Sequence, residues 1–198
     1  EFEGQTAWSE ILNYARYNSL STPEGWAYIQ EHLDVPEVID WLILECWSGD
    51  LDVYENVRFY ASPEYENGKY IYGLADMDLT MITANTYLIG FDGDLLHGII
   101  PSALLYNTEF NDMFLTRLGE MLRGPLSDEN AQKTIDELRA IVEPESARDL
   151  ARWGQNPTLF EAQMRNIQRF ISGRGERMKS DAITLFGLSA EEAEKYFG

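Results

Sequence analysis

Residues 34–49 read DVPEVIDWLILECWSG, and Val35, Val38, Ile39, Leu42, Ile43 and Cys46 recur there at helical spacing. The apolar stripe is broad, so the helix reads as a buried element. Both ends are marked. Asp34 can cap the first turn while Glu37 reaches back, as in a capping box, and Gly49 stops the helix. The chain is thus delivered from the interior straight into GDLDVYEN at 49–56.

The flanking sequence supplies more helices and one small β element. Trp8, Ile11, Leu12 and Ala15 repeat at helical spacing, and Thr22-Pro23 is a helix start with Pro at the first position. VRFYA (57–61) and KYIYGL (69–74) are rich in β-branched and aromatic residues and flank a loop with Asn67-Gly68, which predicts a hairpin. Residues 82–100, with Gly90, Gly93 and Gly98, read as a loop. Helices are predicted from Pro101, from Thr108 to Gly124-Pro125, from Ser127, from Pro144, from Asn156-Pro157, and from Ser189, where Glu192 completes a capping box. Arg148, Arg152 and Trp153 read as a corner between helices, and Trp8, Trp26, Trp41 and Trp47 as core. The expected fold is one α+β domain over residues 1–198, mainly α-helical with a small β-hairpin.

Composition narrows the partners. Lys plus Arg number 15 against 34 Asp plus Glu, a net charge of −19. That argues against nucleic acid and anionic membrane, which are bound by neutralising phosphate with basic residues. A nucleotide polyphosphate could bind only with metal ions or a local basic patch to offset the repulsion. No stretch approaches the ~20 apolar residues of a membrane span. A single cysteine, Cys46, allows no internal disulfide and no cysteine-based zinc site. His32 and His97 are far apart in sequence, and neither has a Cys or a second His at ligand spacing, so zinc is not expected.

Two acidic stretches flank the hairpin. Asp50, Asp52 and Asn56 precede it, and Asp76 and Asp78 follow it in LADMDLTM. Folding the strands together brings residues 52–56 near 74–78. Like charges gathered in this way raise one another's proton affinity unless a cation neutralises them. Three readings compete. A Ca²⁺ site of the EF-hand type fails, because counting from Asp50 or Asp76 finds neither the Gly at position six nor the Glu at position twelve; a looser Ca²⁺ site stays open. Ordinary solvated turn residues are a second reading. Mg²⁺-assisted phosphoryl transfer is the third. It needs an Asp for the hydroxyl proton of the nucleophile, an Asn shortly after it for a metal, and an Asp beyond a short hairpin for the metal on the phosphates. Asp52, Asn56 and Asp76 have that order, although the Asp-to-Asn interval is four rather than the five of protein kinases, and HRD and DFG are absent.

VPEVIDWLILECWSGDLD, ENVRFY, KYIYGLADMDLTM, YNTEFNDMFLTRL, EPESARDLARW and NIQRFISGRGERM, in that order and spacing, resemble the C-terminal half of the CotH kinase family, named for spore coat protein H. The last of these resembles the family's last long helix. The resemblance implies an atypical protein-kinase-like lobe in which Asp52 is the general base. Asn56 and Asp76 would bind Mg²⁺ (or Mn²⁺ or Ca²⁺) with ATP as co-substrate, and Asp78 would support the metal. It implies transfer to Ser or Thr of a protein substrate, at a spore coat or in secreted, cell-surface or cellulosomal proteins. Asp50 departs from the family's usual Asn, Ala75 from its Trp, and Met81-Ile82 from its Phe-Gly.

Nothing in residues 1–50 supplies a glycine-rich cover or a basic residue for the phosphates, so an upstream N-terminal lobe is expected and residues 1–198 alone are expected to be inactive. Glu1-Phe2, with no initiator Met, fits a processed chain or a fragment. Arg58 reads as a surface pair rather than a phosphate ligand. The rival function is a non-catalytic module that keeps the fold and binds protein or Ca²⁺.

Overall fold

A computed structural model describes residues 3–82 and 91–198, with side chains from residue 7 onward; part of the loop expected over 82–100 falls outside these residues. Helix α1 (Glu3–Tyr17) buries Trp8, Ile11, Leu12 and Ala15 along the expected stripe. Helix α2 (Pro23–His32) starts on Thr22, whose hydroxyl accepts the Gly25 N–H at 3.1 Å. Helix α3 (Val35–Ser48) buries ten of its fourteen residues, Cys46 among them, and packs against the hairpin and two later helices. Asp34 accepts the Glu37 N–H at 3.3 Å. The expected return bond from Glu37 gives way to another contact: the Asp34 N–H donates to the Tyr70 carbonyl at 3.0 Å, tying the hairpin to the start of α3.

One helical turn, α4 (Val53–Asn56), leads into strands β1 (Arg58–Tyr60) and β2 (Ile71–Gly73), antiparallel with Arg58 opposite Gly73. Asn67 and Gly68 turn the chain with positive φ, as their types allow. The inner face of the hairpin is aromatic. Phe59 stacks on Trp8 at 4.2 Å, and Tyr72 meets Trp41 edge-on at 4.9 Å, so the hairpin is pinned to α1 and α3.

The second half is helical. A tight turn at Leu96–Gly98 runs into α5 (Ile99–Leu104), two residues before the expected start at Pro101. Helix α6 (Thr108–Arg123) is capped by Asn107, whose Oδ1 accepts the Glu109 and Phe110 N–H groups at 3.0 Å while its Nδ2 reaches the Leu20 carbonyl at 2.8 Å. Helix α7 (Asp128–Arg152) passes through Pro144 as one helix of 25 residues, where the sequence predicts a break. Pro144 and Ala140, whose carbonyl loses its intrahelical donor, both lie on the exposed side, so water can take the vacant bond. Leu138, Ile141 and Val142 are exposed on the same helix, and Arg148, Arg152 and Trp153 stand in solvent rather than in a corner between helices. Helix α8 (Leu159–Ile171) packs on α7, with Arg139 bonded to Glu161 at 2.6 Å.

The run NIQRFISGRGERM is not one helix. Gly173 takes φ of 77°, and α9 (Arg174–Phe186) starts in a new direction, followed by α10 (Ala190–Phe197) with its Ser189–Glu192 capping box intact. Among the described residues no helix is long and apolar enough to cross a membrane. The fold is mainly helical with one two-stranded antiparallel sheet.

The break at Gly173 aims Arg174 at the carboxyl end of α3. Arg174 is 2% exposed. Its Nε donates to the Trp47 carbonyl at 2.8 Å and its Nη2 to the Cys46 carbonyl, while its guanidinium lies 4.8 Å from the Phe170 ring centre. Arg174→Ala strands two buried carbonyls and opens a cavity. It is expected to cost about 3–5 kcal/mol in urea denaturation. Arg117→Ala, at the partly exposed pair with Asp40, is expected to cost about 1 kcal/mol or less.

Candidate functional site

Helix α3 ends on Gly49, whose left-handed conformation (φ 64°) releases the chain sideways with its N–H on the Glu45 carbonyl at 2.9 Å. Asp50 follows, 1% exposed, and its Oδ1 accepts the Asp52 N–H at 3.4 Å. Asp52 then precedes α4, and four residues bring the chain round one turn. The Asn56 amide nitrogen donates to Asp52 Oδ2 at 2.9 Å, which leaves the amide oxygen free of that bond. Asp52 Oδ1 is buried and accepts no hydrogen bond.

The second acidic stretch lies beside the first. The Leu51 N–H donates to the Leu79 carbonyl at 3.3 Å, and the Met81 N–H to the Ser48 carbonyl at 2.8 Å. Asp76 and Asp78 are exposed, Asp76 with a left-handed backbone (φ 53°) and Asp78 in the tight turn Met77–Leu79. Left-handed Asp is tolerated better than most residues, and such conformations gather at functional loops. The two loops are therefore joined through backbone. Among the described residues no side-chain hydrogen bond links Asp76 or Asp78 to Asp52 or Asn56, and no group of three or more His, Cys, Asp or Glu is arranged to hold a metal ion. Arg58 is exposed and donates to the carbonyls of Glu55 and Val57.

One member of the site escapes sequence reasoning. Glu45 lies on α3, 2% exposed, under the acidic loop. Burial pushes its carboxyl up to about 8, reinforced by the charge of Asp50, a hydrogen bond with Asp50, and the charge of Asp52. Asp50 is pushed up to about 6, again by burial first and then by the Asp52 carboxylate, against the lowering effect of the Asp52 backbone N–H. The available signal was an ionisable residue inside the run WLILECW, with apolar neighbours on every side.

These elements define a mainly helical domain in which a buried helix empties into paired acidic loops across a hairpin. The family described as CotH kinase protein matches residues 2–178 of the 198, and the chain belongs to it. No curated protein and no solved structure matches the chain. Membership makes its function protein-kinase-related.

The raised Glu45 carboxyl sets a pH signature. The folded chain keeps that proton between its ordinary value of 4.5 and about 8, and the unfolded chain does not. The stabilisation from this group is complete below about pH 4.5 and is lost as pH rises through about 8. Glu45→Gln carries a neutral side chain at every pH. Its stability relative to wild type is expected to improve by about 2 kcal/mol or more between pH 5 and pH 9, read by urea denaturation at both. A constant difference would refute the buried proton.

Proposed function

We propose that this chain carries the phosphoryl-transfer half of a CotH-type protein kinase, a kinase-like C-terminal lobe that acts on Ser or Thr of a protein substrate. The observation that carries the reading is the Asp52–Asn56 pair: the 2.9 Å bond fixes Asp52 Oδ2 and leaves Oδ1 buried without a partner. An oxygen held so is suited to accept the proton of an incoming hydroxyl. The hydroxyl oxygen then bonds to the γ-phosphorus of ATP as the bond to the β-phosphate oxygen breaks, and ADP leaves.

The donor set fits a hard divalent cation. Asn56 offers an amide oxygen and Asp76 and Asp78 offer exposed carboxylates, the oxygen ligands that Mg²⁺ takes. Bound there, Mg²⁺ supplies charge neutralisation for the phosphates. The backbone bonds at Leu51 and Met81 bring the stretch that carries Asp76 and Asp78 alongside the stretch that follows α3. A second reading, a non-catalytic module binding protein or Ca²⁺, is favoured by the departures Asp50, Ala75 and Met81-Ile82 and by side chains not gathered for a metal.

Isothermal titration of ATP with Mg²⁺ or Mn²⁺ into the full-length protein separates the two. Under the kinase reading binding is measurable, and Asp76→Ala weakens it by tenfold or more. Asp52→Asn retains binding and lowers phosphoryl transfer by at least a hundredfold. Absence of nucleotide binding in the wild type, with the fold intact by circular dichroism, would transfer support to the non-catalytic module.

A further inference from the structure

Glu45 and Asp50 stand behind the proposed site, and neither is assigned to substrate or metal. Both carboxyl groups are almost wholly out of water, and the two residues are joined through backbone, the Asp50 N–H donating to the Glu45 carbonyl at 3.5 Å. Each has an oxygen that accepts no hydrogen bond, Glu45 Oε2 and Asp50 Oδ2. The groups that face them bring little relief. From the loop comes Asp52, a third carboxylate. From α3 itself comes the Trp41 indole N–H, which favours the ionised form of Glu45 but is outweighed by burial and by the charge of Asp50. From α9, Arg174 directs Nε and Nη2 to the Trp47 and Cys46 carbonyls. Two ionised carboxylates so placed repel strongly, whereas one proton between them makes a charge-assisted O–H···O bond.

We propose that Glu45 is a positioning residue: it holds a proton and donates it as a hydrogen bond to Asp50, which in turn sets Asp52 by accepting its backbone N–H. Asp52 is then held from two sides, its backbone by Asp50 Oδ1 at 3.4 Å and its carboxylate by Asn56 at 2.9 Å. With Asp50 singly charged and anchored, its Oδ1 stays on the Asp52 N–H. Loss of the Glu45 proton puts a second negative charge beside Asp50 and drives that anchor apart. The positioning role rests on the kinase reading of Asp52; the shared proton does not.

The test is a carbon-13 NMR titration of side-chain carboxyls in the full-length protein, with the Asp52 amide followed by nitrogen-15. One Glu carboxyl is expected to titrate above about pH 7, against about 4.3 for an ordinary Glu. That signal vanishes in Glu45→Gln, and in Asp50→Asn its proton affinity falls at least tenfold because the neighbouring charge is gone. The Asp52 amide shift moves with the same midpoint in wild type and becomes flat over that range in Glu45→Gln. A purely structural Glu45 would leave the Asp52 amide unmoved by pH. Titration of every Glu carboxyl below about pH 6, or a flat Asp52 amide in wild type, overturns the proposal. The wild-type titration decides even if a variant fails to fold. Nucleotide binding is read separately, so its failure removes the kinase reading while the shared proton stands or falls on the titration.

Discussion

The buried guanidinium of Arg174 against the last turn of α3 is the contact on which the rest of the molecule depends. A helix leaves its final carbonyls without intrahelical donors, and this helix ends in the interior, where water cannot supply them. Here they are answered from three parts of the chain. Gly49 turns its own N–H to the Glu45 carbonyl, Arg174 serves Cys46 and Trp47, and Met81 serves Ser48. Three segments distant in sequence thereby converge at one helix end. The desolvation of Arg174, which lowers its proton affinity, is offset by the negative pole of the helix and by the Phe170 ring.

That convergence sets the acidic loop in place. Asp50 and Asp52 emerge one and three residues after Gly49, at the end of the helix that already carries partial negative charge. Burial and mutual repulsion then act in one direction, toward proton uptake by Glu45 and Asp50. The bond from Met81 to Ser48 belongs to the same device, because it brings the loop with Asp76 and Asp78 alongside. Fold and candidate site are therefore one structural problem. Whatever loosens the end of α3 also separates the loops.

Much of this was legible because it is local. The stripe from Val35 to Cys46, the caps at Thr22 and Ser189, the stop at Gly49 and the aromatic strands each encode an element within a dozen residues, and the hairpin joins its flanks by geometry alone. What sequence pattern missed is tertiary. Pro144 predicts a helix boundary, but a solvent-facing helix tolerates an unpaired carbonyl, so α7 continues. Ile135, Leu138, Ile141 and Val142 share one side of that helix by spacing, and while Ile135 packs against the core the other three stay exposed. Glu37 could have closed a capping box, but the N–H it needed is taken by Tyr70 across 36 residues of chain. Arg174 looks like any basic residue in SGRGERM until the turn at Gly173 aims it inward.

The interval from Asp52 to Asn56 shows how local and tertiary constraints meet. Four residues are one helical turn, so the amide returns to the face of the aspartate it follows, and the 2.9 Å bond is the direct result. That geometry holds one carboxylate oxygen and leaves the other without a donor. In a chain of net charge −19, whose nearby Arg58 turns to the carbonyls of Glu55 and Val57, negative charge so exposed to its own kind calls for a cation before it can call for a phosphate. Deep in the site the cation is a proton between Glu45 and Asp50. At the rim, where Asp76 and Asp78 face water, the proposed occupant is divalent. The two are alternatives set by depth: a proton needs no hydration shell and suits the closed floor, whereas Mg²⁺ keeps several waters and suits only the open side.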